Sequence, residues 1–170
     1  FFTGSRHLTF KERYWRGFNA MALPRKVDPW WKIATQLGLA EELREAPGLV
    51  VYGEVYGHVQ DLTYSVPEAD LVAFAAFDVY DSKNRRWLNY DEAQDFCEQR
   101  KIPFVPELYR GPFSRAAVEP CRRGKSAVDG VTIREGLVIR RTDDSERGRA
   151  SLKLVSEEYK LRKGDTTEFH

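Results

Sequence analysis

From Leu71 to Tyr80 the chain reads Leu-Val-Ala-Phe-Ala-Ala-Phe-Asp-Val-Tyr, a near-continuous apolar run. Such a run reads as a buried central strand, and it ends at Asp81-Ser82-Lys83-Asn84, a turn. A chain with this strand must build a sheet and cover it. Alternation places Phe77 on the face of Ala73 and Ala75. These small neighbours leave room for a planar ring to lie flat on the phenyl, although a phenylalanine in such a strand equally suits the core.

A second strand is expected over Leu49–Gly57, from its β-branched and aromatic content. Tyr52, Glu54 and Tyr56 share one face, and Val51 and Val55 the other. Glu54 between two rings fits an acceptor for a ribose hydroxyl beside a flat base; the alternative is a glutamate buried against tyrosines. Gly53 and Gly57 are expected to remove bulk and let a ligand approach. Two further strands carry charge where packing alone would not place it. Arg134–Arg141 has Glu135 near its start and Arg140 and Arg141 at its end, and Ser151–Ser156 has Lys153 at mid-strand. A carboxylate and a lysine on neighbouring strands suit a divalent metal and a polyphosphate. An exposed strand face or a structural ion pair would explain the same pattern.

Helices punctuate these strands. Asp28 caps one with Pro29 at its first position; Trp30, Ile33, Ala34, Leu37 and Ala40 form its apolar face, and Pro47-Gly48 closes the segment. Asn89 and Glu92 form a capping box for a helix that turns Ala93, Phe96 and Cys97 inward. Pro103 and Pro106 punctuate an expected strand through Phe104–Tyr109, and Ser114 caps a short helix stopped near Pro120. Phe1–Phe10 reads as a strand and turn.

With 170 residues and an apolar fraction of 42%, residues 1–170 suffice for one domain with a real core. No window has the apolar length of a membrane span, and no secretory leader is expected from the opening Phe1-Phe2-Thr3-Gly4. It does not begin with Met, and is expected to be cut from something longer. Cys97 and Cys121 match no zinc spacing, which makes a reducing, cytoplasmic setting the default. Gly124-Lys125-Ser126 is not a P-loop, since Glu119 stands where its first glycine belongs.

Charge is segregated. Residues 1–32 hold seven Lys/Arg against two acids, residues 33–98 four against thirteen, and residues 99–130 seven against three. Two basic segments could flank a groove for a phosphate backbone. Basic and aromatic residues also interleave in Lys11-Glu12-Arg13-Tyr14-Trp15-Arg16, a pattern that serves RNA or amphipathic packing.

Taken together, five stretches in order resemble the motifs of RNA ligases in the covalent nucleotidyltransferase superfamily: Ser5-Arg6, Val51–Gly57, Phe77-Asp78, Glu135–Arg140 and Leu152-Lys153-Leu154. The resemblance implies an α+β nucleotidyltransferase core, ATP-grasp-like, of antiparallel sheets with flanking helices and the active site in the groove between sheets. It implies ATP and Mg²⁺ or Mn²⁺ as cofactors, and RNA ends or a nicked duplex as partner, with oligomeric state open. A lysine would take AMP from ATP and pass it to an RNA 5′-phosphate, and a 3′-hydroxyl would then displace it. In that scheme Phe77 stacks on adenine and Glu54 accepts from the ribose. Arg6 contacts the AMP phosphate or ribose, Glu135 holds the metal, and Lys153 and Arg140 meet phosphate. The pattern departs from the family in two ways. The nucleophile string Lys-x-Asp-Gly is absent, Lys26-Val27-Asp28-Pro29 being the nearest, so the lysine is expected upstream of Phe1 and self-adenylylation by this chain alone is not expected. Arg140 stands where a lysine is usual, and Val155 where a second lysine often follows. The other readings are a non-catalytic nucleotide- or RNA-binding protein and, behind it, a DNA ligase or capping enzyme.

Overall fold

The computed structural model describes residues 2–4, 9–11, 29–59, 62–66, 71–142 and 150–162. β1 (Phe2–Gly4) and β2 (Thr9–Lys11) pair antiparallel, so the first ten residues hold the start of a second strand as well as the first. Asp28, Lys26 and the interleaved residues 12–16 lie outside the described residues.

Strand β4 (Val72–Asp81) is the centre of the fold, as its apolar run requires. On one side it pairs antiparallel with β3 (Leu49–Gly57). On the other it meets β5 (Arg86–Trp87) through a hairpin. Asp81 shapes that turn: its Oδ1 accepts from the backbone N–H of Lys83 at 3.0 Å and of Asn84 at 3.1 Å. The ladder between β3 and β4 contains an irregularity. Gly53 is opposite Ala76 and Tyr52 is opposite Asp78, which leaves Phe77 without a partner, a β-bulge.

Helices cover one face of this sheet. α1 (Pro29–Gln36) starts at the expected proline. The single helix expected beyond it is in fact two, because Gly38 takes a left-handed conformation (φ 60°) and α2 (Leu39–Arg44) begins afresh. α3 (Tyr90–Gln99) opens on the capping box: Glu92 N–H donates to Asn89 Oδ1 at 2.9 Å, and Asn89 N–H to Glu92 Oε2 at 2.8 Å. Its inward residues Ala93, Phe96 and Cys97 join Ala34, Leu39, Ala76, Val79, Leu88 and Ile102 in the main core. Phe74 also reaches a smaller cluster of Ile33, Val55 and Val72. No helix among the described residues is long and apolar enough to cross a membrane.

Two expectations require correction. No strand runs from Phe104 to Tyr109. Only Phe104 forms a parallel bridge to Ala76, through Ala76 N–H to Pro103 O at 2.7 Å and Val105 N–H to Ala76 O at 2.8 Å. Prolines 103 and 106 offer no N–H to extend that ladder. Nor do Gly53 and Gly57 open space for a ligand. Both lie on the face opposite Glu54, and a Cβ at Gly53 would overlap the Phe74 ring and stand 2.6 Å from Ala75 O. Gly57 has φ 116°, and a Cβ there would stand 2.6 Å from Leu71 O.

The remaining elements are α4 (Arg115–Arg122), β6 (Gly136–Arg140), β7 (Ser151–Val155) and α5 (Glu157–Lys160). Ser114 caps α4, accepting from Ala117 N–H at 3.2 Å, and the helix continues past Pro120 to Arg122. β6 and β7 form an antiparallel pair with Val138 opposite Lys153 and Arg140 opposite Ser151.

If Gly53 serves packing, Gly53→Ala should destabilise the protein by about 1–3 kcal/mol through overpacking. Urea unfolding measures this; an unchanged midpoint would return the glycine to a ligand role.

Candidate functional site

The sheet face away from the helices and the β6–β7 pair enclose a cleft of about 620 Å³. Glu54, Phe77, Glu135, Arg140 and Lys153 all line it. These are every site residue expected from the sequence except Arg6, which lies outside the described residues.

Each arrives by a local device. Glu54 lies on the exposed face of β3 opposite Ala75, as alternation places it, and it is exposed rather than buried against tyrosines. Phe77 is the bulged residue of β4. The bulge has a second effect: Asp78 lies opposite Tyr52 and so takes the cleft face, where simple alternation would have sent it to the core. Asp78 is wholly buried, and Arg140 covers it. One guanidinium nitrogen, Nη1, stands 2.7 Å from Asp78 Oδ1 and donates to Phe77 O at 2.6 Å. Arg140, only 11% exposed, thus ties β6 to β4 across the floor of the cleft.

Glu135 and Lys153 form an ion pair, Lys153 Nζ to Glu135 Oε1 at 2.8 Å. The structural ion pair weighed from the sequence is therefore real, and it stands inside the cleft. Ser156, fully buried, fixes the backbone beneath it. Its N–H donates to Glu135 O at 2.8 Å, its hydroxyl donates to Arg134 O at 2.6 Å, and the same oxygen accepts from Tyr159 N–H at 3.0 Å. Gly136 permits the close pairing that follows, since a Cβ there would overlap the carbonyl of Leu154.

Tyr64 completes this end of the cleft, and sequence reading missed it. Its ring packs edge-on against Tyr56 at 5.6 Å. Burial, then the charges of Glu135 and Glu54, push its phenol up to about 12. Tyr64 therefore stays a neutral hydrogen-bond donor at any physiological pH. The segment that bears it is stapled to the loop before β6 by Asp129, which accepts from Ser65 N–H at 2.9 Å, Val131 N–H at 3.1 Å and Thr132 N–H at 3.0 Å. The Thr132 hydroxyl donates to the same carboxylate.

Among the described residues no three His, Cys, Asp or Glu side chains gather as a metal cluster. The donor set is instead one carboxylate, Glu135, beside a lysine. That fits Mg²⁺ or Mn²⁺ bound through one protein carboxylate, with substrate phosphate and water completing the shell. It does not fit a resident structural ion.

Comparison with known proteins identifies the family and the fold. The family model for RNA ligase matches residues 8–155. An RNA ligase of Naegleria gruberi with PPi superimposes with TM-score 0.65 at 24% identity, over 81% of this chain and 41% of that one. A mutant of the same ligase with ATP and Mn gives TM-score 0.65 at 24% identity, over 81% and 42%. Another mutant, with AMP and Mn, gives 0.66 at 23%, over 81% and 41%. The α+β fold of antiparallel sheets and helices is thus that of these structures, and the chain spans about two fifths of their length. No curated protein sequence matches.

The Asp129 staple sets a pH dependence. Burial would raise its pKa, but the hydrogen bonds from Thr132, Ser65 and Val131 outweigh it and hold the carboxyl at about 2. A depressed carboxylate contributes stability above its unfolded pKa, near 3.8, that is lost as pH falls toward 2. Asp129→Asn should therefore cost about 1–2 kcal/mol at pH 7 and flatten the acid limb of stability between pH 4 and 2. Urea midpoints across that range check it, and parallel acid limbs in the two proteins would refute it.

Proposed function

The chain belongs to the RNA ligase family, and from that membership we propose that its cleft binds ATP for an ATP-dependent RNA ligase. The reaction seals a 5′-phosphate to a 3′-hydroxyl through lysyl-AMP and RNA-adenylate. The observation that carries this reading is the convergence of Glu54, Phe77, Glu135, Arg140 and Lys153, far apart in sequence, on one cleft. A cytoplasmic setting belongs to the same proposal, supported by Cys97 and Cys121 as free thiols.

The chemistry follows from the placement. Phe77 offers its ring to the adenine, and Glu54, exposed on the same wall, accepts from a ribose hydroxyl. The opposite wall carries the phosphate chemistry. Lys153, half exposed and paired with Glu135, turns its ammonium to a phosphate oxygen in this reading, which neutralises charge as the α-phosphorus becomes five-coordinate. Arg140, paired with Asp78 and bonded to Phe77 O, presents its guanidinium from the floor of the cleft in this reading. Glu135, released by Lys153, would hold Mg²⁺ or Mn²⁺, which when bound polarises the phosphate. Tyr64 keeps its proton and serves as a donor between Glu54 and Glu135. Arg6 is assigned to the AMP phosphate or ribose by its motif.

Lys-x-Asp-Gly is not found in residues 1–170, so nucleotide binding and covalent transfer are tested separately. Titration calorimetry of the chain with ATP and Mg²⁺ should show binding, and Phe77→Leu should weaken it by about 1–3 kcal/mol, the value of one stacking contact. Unchanged affinity in a folded Phe77→Leu protein returns the residue to the hydrophobic core. In the length of chain that forms lysyl-AMP, Glu135→Ala should abolish AMP transfer with the fold intact. Transfer near the wild-type rate would remove Glu135 from the mechanism.

A further inference from the structure

The cleft continues past the five nucleotide-facing residues to a wall that no part of the mechanism above uses. This wall is the irregular segment 105–114, which contributes Leu108, Tyr109, Arg110 and Phe113 to the lining. Its rings are turned outward: Phe113 is 69% exposed and Tyr109 48%. Burying either would stabilise the fold, and neither is buried. The segment is nevertheless held firmly. Arg110 Nη2 binds Asp91 Oδ1 at 2.8 Å and Glu107 Oε2 at 2.8 Å, and its guanidinium lies 5.2 Å from the centre of the Tyr90 ring. The Tyr109 hydroxyl donates to Pro112 O at 3.4 Å, and Ser114 anchors the far end as the cap of α4.

The segment that carries this wall is basic on balance, which suits a polyanion. Residues 99–130 hold seven basic residues against three acids, and each acid is already engaged. Glu107 is paired with Arg110, Glu119 with Arg122 and Arg123, and Asp129 is committed to the staple. Arg110 is also shared with Asp91 and Arg122 with Glu157, which leaves Arg100, Lys101, Arg115 and Lys125 outside these pairs, Arg115 only two residues from Phe113. Exposed rings on a fixed wall, beside surplus basic charge, are the two components of single-strand recognition: stacking platforms and phosphate attraction.

We infer that Phe113, supported by Tyr109, is a stacking platform for a nucleobase of the RNA end that enters the same cleft as ATP. The inference rests on the ligase reading. The base belongs either to the 5′-phosphate strand or to the 3′-hydroxyl strand, which offer the wall the same π-face.

The test uses short single-stranded RNAs carrying 2-aminopurine, either at the first nucleotide behind a 5′-phosphate or at the last before a 3′-hydroxyl. Stacking on Phe113 should quench one of the two on addition of the chain, and the quenched probe names the strand. Phe113→Ala should remove the quench and weaken RNA binding on the order of tenfold, while ATP affinity stays at the wild-type value. Phe113→Trp should restore both. RNA affinity and quench that persist in Phe113→Ala overturn the inference, as they would if the patch serves another stretch of protein. So does wild-type protein that binds ATP but quenches neither probe. Wild-type protein that binds no ATP would instead overturn the ligase reading beneath it.

Discussion

The contact on which the site depends is the buried ion pair between Asp78 and Arg140, 2.7 Å apart. It joins two sheets that share no strand. Asp78 is fully buried and Arg140 nearly so, so both charges have been taken out of water. Such a pair adds little net stability, yet losing one partner is costly, because the other is left charged and dry. Its contribution is therefore to geometry. It holds the wall of Glu54 and Phe77, on β3 and β4, at a fixed distance from the wall of Glu135 and Lys153, at β6 and β7.

The rest of the cleft is organised on the same pattern, with polar groups that stitch irregular backbone to regular backbone. Ser156 holds the residue before β6, Asp129 holds the segment of Tyr64, and Arg110 holds the loop of Phe113. None of these three segments belongs to a ladder or a helix. Each would otherwise carry the freedom of a surface loop, and each bears a side chain that lines the cleft.

Much of this was legible in the sequence, for identifiable reasons. A lone carboxylate before an apolar strand, and a lysine inside the next, are not explained by packing, and the fold brings them within 2.8 Å. The capping box at Asn89 and Glu92 is a local code and formed as read. What failed was non-local. Gly53 and Gly57 were read from the neighbour they flank, Glu54, when the deciding neighbours are Phe74 and Leu71 on another strand. Alternation, which assumes an unbroken ladder, sends Asp78 to the core face, although Phe77-Asp78 is among the stretches that carry the resemblance. Tyr64 and Asp129 sit in short stretches without periodicity, and nothing local links residue 65 to residue 129. The strand expected at Phe104–Tyr109 failed because two prolines left only a single bridge.

The bulge in β4 has an implication for how this site could arise. Remove Phe77 from the strand, and Ala76 and Asp78 become consecutive, opposite Gly53 and Tyr52, which are consecutive already. The ladder would close without a gap, with Asp78 still facing Arg140. Phe77 is thus supernumerary to the sheet: one inserted residue that leaves every pairing on either side intact. A fold can acquire such a ring by a single-codon insertion and keep its register, and the scaffold need not be redesigned around it.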